Sequence, residues 1–256
     1  MDFCDSNSVG FAMRSVNLKS ITRLLSAVAI VLWSAVLVVK WVQPEKGSPP
    51  ARPAVEDGFP DPKKCATFER FADATLVAHA GGGLPNATYT NSRAAIDLAV
   101  QNGFKYIEID FMREGEGITL GHEGHPKSDL SFADLLEWLR ANPEVSIITD
   151  FKTDNVAHLT AMRPVAGDLA SRFMPQIYKP AEYAAVSRMG FGPIIFTAYN
   201  MPHDNWHDEV NGLDLWAVTV PASREYLKAG VRHPVFLHTV NRPMEADGLY
   251  TDCLIP

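Results

Sequence analysis

Short apolar segments alternate with helical segments from residue 75 to the end of the sequence, and this alternation limits the fold more than any other feature. Strands separated by helices usually pair in parallel, and strands of nearly continuous apolar character are buried on both faces. The sequence therefore predicts an α/β domain with a parallel sheet. The predicted strands are 75–80, 106–112, 118–121, 145–151, 174–178, 193–199, 215–220, 235–240 and 248–251.

The predicted helices lie between these strands, at 91–101, 132–139, 155–173 and 180–189. Ser131 precedes the second helix, and Asp134 follows three residues later, which is a pattern typical of a helix N-terminus. Strand 118–121 follows strand 106–112 so closely that we expect it to be a hairpin partner and not a member of the parallel set.

Several chemically reactive side chains fall at the predicted strand ends. His79 lies near the end of the first strand, and Glu108 and Asp110 alternate along the second. Residues i and i+2 of a strand point to the same face, so the two carboxylates are expected to share one space. Two carboxylates this close repel each other, and proteins usually relieve that repulsion by binding a cation or by raising the pKa of one carboxyl group.

A third carboxylate and a lysine follow at the end of a later strand. Asp150 completes a set of three acidic side chains with no cysteine among them, which favours a hard cation, Mg²⁺ or Ca²⁺. Lys152 is on the same side of the chain as Asp150, and two roles remain open for it. It either contacts a phosphate oxygen or simply forms an ion pair with Asp150 or Asp110.

These residues carry a family resemblance. The segment from His79 to Glu123 resembles the glycerophosphodiester phosphodiesterase family of the phospholipase-C-like phosphodiesterases, and the resemblance extends over residues 74–253. The matching motifs are His79-Ala80-Gly81, Thr90-Asn91-Ser92, Glu108-Ile109-Asp110, His122-Glu123, Thr149-Asp150-Phe151-Lys152, His238-Thr239-Val240-Asn241 and Asp247-Gly248-Leu249-Tyr250-Thr251-Asp252. The resemblance implies a (β/α)8 barrel and a phosphoric diester hydrolase, and it favours the barrel over an open sheet.

The resemblance also implies roles for individual residues. His79 and His122 would transfer protons, with His125 as the competing choice for the second histidine, and Lys152 would assist. The metal ligands would be Glu108, Asp110 and Asp150. The expected substrate-binding residues are Asn91, Lys152, Tyr199 and His238. Tyr199 is included for its expected place at the barrel mouth and not for a motif, and core packing is the alternative for this ring. Asn91 is equally well interpreted as the cap of the first helix.

Three positions depart from the family pattern. Ala80 stands where the family usually has a phosphate-binding arginine, Asp150 where it more often has glutamate, and His238 where it usually has tryptophan. Phosphodiester chemistry remains the expectation, whereas specificity for glycerophosphodiesters is left open.

The net charge limits the class of binding partner, and the cysteines allow one disulfide. A net charge of −7 and a pI near 5.6 argue against nucleic acid as a partner. Cys65 and Cys253 lie in the same predicted domain, where either a disulfide or two free thiols is compatible with the sequence.

The N-terminal region has a different organisation. Residues 24–39 are uncharged and almost wholly apolar, and with their flanks they approach the roughly 20 residues that span a bilayer. We expect a cytoplasmic segment (1–20), a transmembrane signal anchor (21–42), a Pro-rich linker (43–63) and an exported barrel domain (64–256). A cleaved signal peptide and a buried helix are the alternatives for the apolar run.

The expectation from sequence is therefore a single-pass protein of the cytoplasmic membrane with its N-terminus inside and a metal-dependent phosphodiesterase outside. Its substrate would be a small molecule, a lipid head group or an envelope polymer. One alternative is a non-catalytic barrel that binds a polyanionic envelope polymer or a lipid head group. A weaker alternative is a glycan hydrolase with paired carboxylates.

Overall fold

The computed structural model describes residues 74–115, 117–199, 201, 206–242 and 244–254. The predicted anchor 21–42, the linker 43–63 and Cys65 lie outside the described residues. Within the described part of the chain, no helix is long and apolar enough to cross a membrane.

In the described residues, eight parallel strands form a closed barrel, and a ninth strand pairs with one of them. The strands are β1 (Thr75–Ala78), β2 (Tyr106–Glu114), β3 (Gly117–Leu120), β4 (Ser146–Asp150), β5 (Phe173–Ile177), β6 (Ile195–Thr197), β7 (Ala217–Pro221), β8 (Val235–His238) and β9 (Gly248–Thr251). Strand β1 pairs with both β2 and β9, which closes the barrel and excludes an open sheet. Strand β3 pairs antiparallel with the end of β2, so the predicted hairpin is confirmed.

The helices lie between the strands along the chain. The α-helices are α1 (Arg93–Gln101), α2 (Phe132–Ala141), α3 (Asn155–Ala166), α4 (Tyr183–Val186) and α5 (Trp206–Val210). Short 3₁₀ segments occupy His79–Gly81, Gly167–Arg172, Pro180–Glu182 and Ala222–Lys228. The Ser131 hydroxyl accepts a hydrogen bond from the Asp134 N–H, which confirms the predicted cap of α2.

Two predicted helices are shorter than the sequence indicated. The helix predicted over 155–173 ends at Ala166 because Gly167 takes a positive φ of 56° and turns the chain. The segment predicted as helical over 180–189 is a 3₁₀ turn followed by the single turn of α4. Gly190, at a φ of 73°, then redirects the chain towards β6.

The strands bury apolar side chains on both faces. Inside the barrel, a small cluster of side chains lies on the same face of the strands as Glu108 and Asp110. It comprises Val77, Ile148, Met174, Ile195, Ala217, Phe236 and Tyr250. The larger cluster, which includes Ile107 and Ile109, fills the layer between strands and helices. The interior of the barrel is thus packed with side chains.

Candidate active site

His79 and Asp252 meet because their strands are neighbours. Strand β1 ends one residue before His79, and β9 ends one residue before Asp252, with Ala78 opposite Thr251. His79 Nδ1 lies 2.8 Å from Asp252 Oδ1, and both side chains are buried. Asn241 Nδ2 donates to the other Asp252 oxygen over 2.8 Å. With Nδ1 engaged, Nε2 is the nitrogen of His79 that remains for chemistry.

Charge controls the protonation of this histidine. Burial lowers the pKa of His79, but the carboxylates of Asp252, Glu108 and Asp110 together outweigh it and raise the pKa to about 9. Burial raises the pKa of Asp252, but His79 and Asn241 outweigh this and lower it overall. The two residues therefore form an imidazolium–carboxylate pair.

Glu108 is held by the backbone of the turn that carries His79. The Ala80 N–H donates to Glu108 Oε2 over 2.6 Å, and Ala80 takes a left-handed φ of 49° to do so. Glu108 Oε1 is fully buried and has no hydrogen-bond partner. Burial first, and then Asp110 and Asp150, raise the pKa of Glu108 well above its ordinary value.

Asp110 and Asn91 hold each other through two hydrogen bonds. Asn91 Nδ2 donates to Asp110 Oδ2 over 3.1 Å, and the Asp110 N–H donates to Asn91 Oδ1 over 2.9 Å. Asn91 is completely buried, and the cap of α1 is its neighbour Ser92. Asn91 therefore orients Asp110 and is not the cap of α1.

Asp150 is engaged at both oxygens. The Tyr178 hydroxyl donates to Oδ1, and Lys152 Nζ donates to Oδ2. Lys152 Nζ also lies 3.4 Å from Asp110 Oδ1. Burial lowers the pKa of Lys152, but Asp150 and Asp110 outweigh it and the pKa is raised. The ion pair that the sequence offered as one role of Lys152 is therefore present.

These three carboxylates fit a divalent cation. One oxygen from each of Glu108, Asp110 and Asp150 lies within 4.8 Å of the others, and all three residues are buried. The unpartnered Glu108 Oε1 provides a ready ligand atom. With all three carboxylates ionised, as cation binding requires, the adjacent ammonium of Lys152 leaves a net charge of about −2, which a hard divalent cation would neutralise.

The second predicted histidine lies farther out. His122 is half-buried in the loop after β3, and its Nδ1 lies 2.7 Å from the Glu123 carbonyl oxygen. Tyr89 lies between the two histidines, with ring centroids 4.6 Å from His79 and 5.5 Å from His122. The exposed His125 stacks on Tyr89 at 4.8 Å. The structure thus brings neither loop histidine into direct contact with His79.

The predicted substrate-binding residues Tyr199 and His238 form an aromatic wall beside His79. The His238 ring is edge-on to His79 at 4.7 Å and to Tyr199 at 5.4 Å. Burial, followed by the charges of His79 and Lys152, lowers the pKa of His238 well below its ordinary value. Burial raises the pKa of Tyr199, so its phenol remains neutral. The wall therefore carries no charge.

The fold was compared with solved structures. A glycerophosphodiester phosphodiesterase from Parabacteroides distasonis aligns with a TM-score of 0.55 and 13% identity, covering 70% of this chain and 93% of that one. A protein from Silicibacter pomeroyi, proposed to be a glycerophosphoryl diester phosphodiesterase, aligns with a TM-score of 0.52 and 11% identity over 76% and 94%. This chain has the fold of the glycerophosphodiester phosphodiesterases. No family model and no curated protein matches the sequence.

The comparison confirms, at the level of fold, the resemblance seen in the sequence.

Cys253, which follows the last strand, is in a disulfide bond. The other two cysteines lie outside the described residues.

Four contributors to the site are not among the site residues expected from the sequence: Asp252, Asn241, Tyr178 and Tyr89. Asp252 and Asn241 appear there only within the motifs of the family resemblance, although a buried histidine requires a partner of this kind. Tyr89 carries no motif and takes a positive φ of 56°, so only the folded loop reveals its place between the histidines.

Proposed function

We propose that this domain is a metal-dependent phosphodiesterase that hydrolyses a glycerophosphodiester-like bond. The single observation that carries the proposal is the convergence of three buried carboxylates beside the Asp252-held His79. The fold shared with glycerophosphodiester phosphodiesterases supports it. A barrel of this type places its reactive groups at the carboxyl ends of the strands, where these residues lie.

The chain's own residues account for the proton movements. An oxygen nucleophile attacks phosphorus, and the bond from phosphorus to the leaving oxygen breaks. Attack by water gives the phosphomonoester directly, whereas attack by a neighbouring substrate hydroxyl gives a cyclic phosphate, which water then opens in a second step. His79 gives its Nε2 proton to the leaving alkoxide, while Asp252 fixes the ring and stabilises its charge. We propose that His122 takes the proton of the nucleophile, reaching the substrate past Tyr89.

Charge on the phosphate is balanced at the mouth of the barrel. A cation held by Glu108, Asp110 and Asp150 would neutralise phosphate charge and polarise a phosphoryl oxygen. Lys152 adds a positive charge next to the same carboxylates and is the cationic side chain best placed to contact a phosphate oxygen. Tyr199 and His238 provide an uncharged surface for the alcohol part of the substrate.

We also propose that residues 21–42 anchor the protein in the cytoplasmic membrane and that the barrel is exported. The support is the uncharged apolar run 24–39, preceded by Arg14, Lys19 and Arg23, since positive charge favours the cytoplasmic side. The phosphodiester substrate would then be encountered outside the cytoplasm, as a small molecule, a lipid head group or an envelope polymer.

A substrate panel tests the proposed reaction. The purified protein is incubated with glycerophosphodiesters, aryl phosphodiesters and an anionic polymer, in Mg²⁺, Ca²⁺ or chelator, and the released alcohol and phosphomonoester are identified. We expect turnover only with a divalent cation, with Asp214→Asn, an exposed carboxylate, as the unaffected control. Tight binding of the polymer with no product from any diester would instead support the non-catalytic barrel.

A further inference from the structure

A second group of potential metal ligands lies beside the carboxylate trio. His79, Glu108 and His238 are all buried, and one ligand atom from each lies within 4.8 Å of the others. The two groups have Glu108 in common but differ in chemistry. The first contains three carboxylates, whereas this one contains two imidazoles and one carboxylate.

Both imidazoles are held in the manner of metal-binding histidines. His79 Nδ1 bonds to Asp252 over 2.8 Å, and His238 Nδ1 lies 3.0 Å from the Thr239 hydroxyl. A second partner on one ring nitrogen fixes the ring and leaves the other nitrogen for a metal. In both residues that remaining nitrogen is Nε2.

Two further observations point to a ligand at this place. Glu108 Oε1 is fully buried and has no hydrogen-bond partner, which is costly unless something binds it. The two rings are packed edge-on at 4.7 Å, and His238 is supported from behind by Tyr250 at 4.6 Å. The donors are therefore already gathered before any ion arrives.

We propose that His79, Glu108 and His238 form a second metal site that selects a borderline cation such as Zn²⁺ or Co²⁺. Imidazole nitrogen suits these ions, whereas Mg²⁺ and Ca²⁺ prefer the all-oxygen trio. The consequence rests on the proposed function: an ion here engages the Nε2 that would transfer the proton and shares Glu108 with the hard cation. Occupation of this site therefore inhibits hydrolysis.

Cobalt spectroscopy of the full-length protein tests the site directly. Co²⁺ with nitrogen ligands and low coordination number absorbs visible light far more strongly than Co²⁺ in an all-oxygen octahedral site. We expect the wild type to show the strong band and Zn²⁺ to abolish it by displacement. If the wild-type protein shows only the weak absorption of octahedral, all-oxygen Co²⁺, the proposal is overturned, and no variant is needed to decide it.

A pair of variants separates the two sites. His238→Phe keeps a ring against His79 and Tyr250 but removes a ligand, so Co²⁺ affinity should fall at least ~10-fold and the strong band should be lost. Asp150→Asn should weaken Mg²⁺ binding and retain the Co²⁺ band. Unchanged Co²⁺ affinity and spectrum in His238→Phe would contradict the assignment.

Inhibition is tested on wild-type protein that is turning over substrate in Mg²⁺. Zn²⁺ should lower the rate at least ~10-fold, and chelation followed by fresh Mg²⁺ should restore it. Zn²⁺ binding at the histidines with no loss of rate would overturn the inhibitory role. If no tested cation supports hydrolysis, the proposed function is contradicted. The Co²⁺ spectrum would still show whether the histidine site exists, because it does not depend on activity.

Discussion

His79 and Asp252 connect the first and last strands of the barrel through a buried contact of 2.8 Å between Nδ1 and Oδ1. They are 173 positions apart in the sequence, so the contact exists only when the barrel is closed. The same contact fixes the ring of His79 and with it Nε2, the nitrogen that we propose transfers a proton. The His79–Asp252 part of the site therefore forms only when the barrel closes.

The first prediction concerns stability and pH. The pKa of His79 is about 9 in the folded protein and near 6.5 when unfolded, so between these values the folded state binds more protons. Stability from this pair is therefore complete below about pH 6.5 and is lost as the pH rises through about 9, a change on the order of 3 kcal/mol. Urea unfolding in chelator at a series of pH values measures it.

Asp252→Asn separates this effect from that of Glu108. The raised pKa of Glu108 also makes stability fall with rising pH, because the folded state again holds the extra proton. Removing Asp252 removes the main support for protonated His79, so the slope between pH 6.5 and 9 should flatten. An identical slope in Asp252→Asn and wild type would refute the pair's role.

The second prediction concerns the buried Asn91–Asp110 pair. Asn91→Gly keeps the left-handed backbone at φ 49° but removes both hydrogen bonds to Asp110. A loss of about 1–3 kcal/mol in the free energy of unfolding is expected, because buried groups of Asp110 lose their partner. Asn91→Ala should lose about 1 kcal/mol more, since a Cβ disfavours that backbone region. Wild-type stability in Asn91→Gly would be inconsistent with this account.

The parallel α/β sheet could be inferred from sequence because its determinants are local. Apolar strands and intervening helices are visible as patterns, and Glu108 and Asp110 share a face by strand geometry alone. The addition of Asp150 to these two carboxylates could also be predicted, since the carboxyl ends of parallel strands meet at one edge of the sheet. The (β/α)8 closure itself came from the family resemblance, because no local pattern distinguishes a closed sheet from an open one.

The remaining details depend on contacts between distant segments. Tyr178 carries no motif, and its bond to Asp150 requires β4 and β5 to be paired. Asn91 looked like a helix cap because the true cap, Ser92, is its neighbour. His122 follows a strand end, as the motif required, yet β3 is the hairpin strand, which leaves His122 outside the ring of parallel strand ends.

The third prediction concerns Tyr178. Its hydroxyl donates to Asp150 and thereby orients a predicted ligand, so Tyr178→Phe should weaken Mg²⁺ binding roughly 10- to 100-fold with the fold intact. Calorimetric titration gives the affinity. Tyr226→Phe is the matched control because this ring is 69% exposed. Equal affinities in the two variants would show that the hydroxyl has no such role.

The fourth prediction concerns the anchor. Full-length protein should remain with membranes after carbonate washing, whereas a chain that begins at residue 43 should be released, because the apolar run is what holds it. Fractionation followed by immunoblotting measures this. A mature protein that begins near Ala51 would show instead that the run is a cleaved signal peptide.

The central claim is that hydrolysis depends on a cation held by the buried carboxylates. Glu108→Gln keeps the size of the side chain and an acceptor for the Ala80 N–H but removes the charge. The most direct measurement is the initial rate of glycerophosphodiester hydrolysis by wild type and Glu108→Gln, in Mg²⁺ and in chelator. We predict rapid hydrolysis only by wild type in Mg²⁺, with Glu108→Gln slower by roughly 10²-fold or more. A wild-type rate that persists in chelator, or an unimpaired Glu108→Gln, would contradict the account.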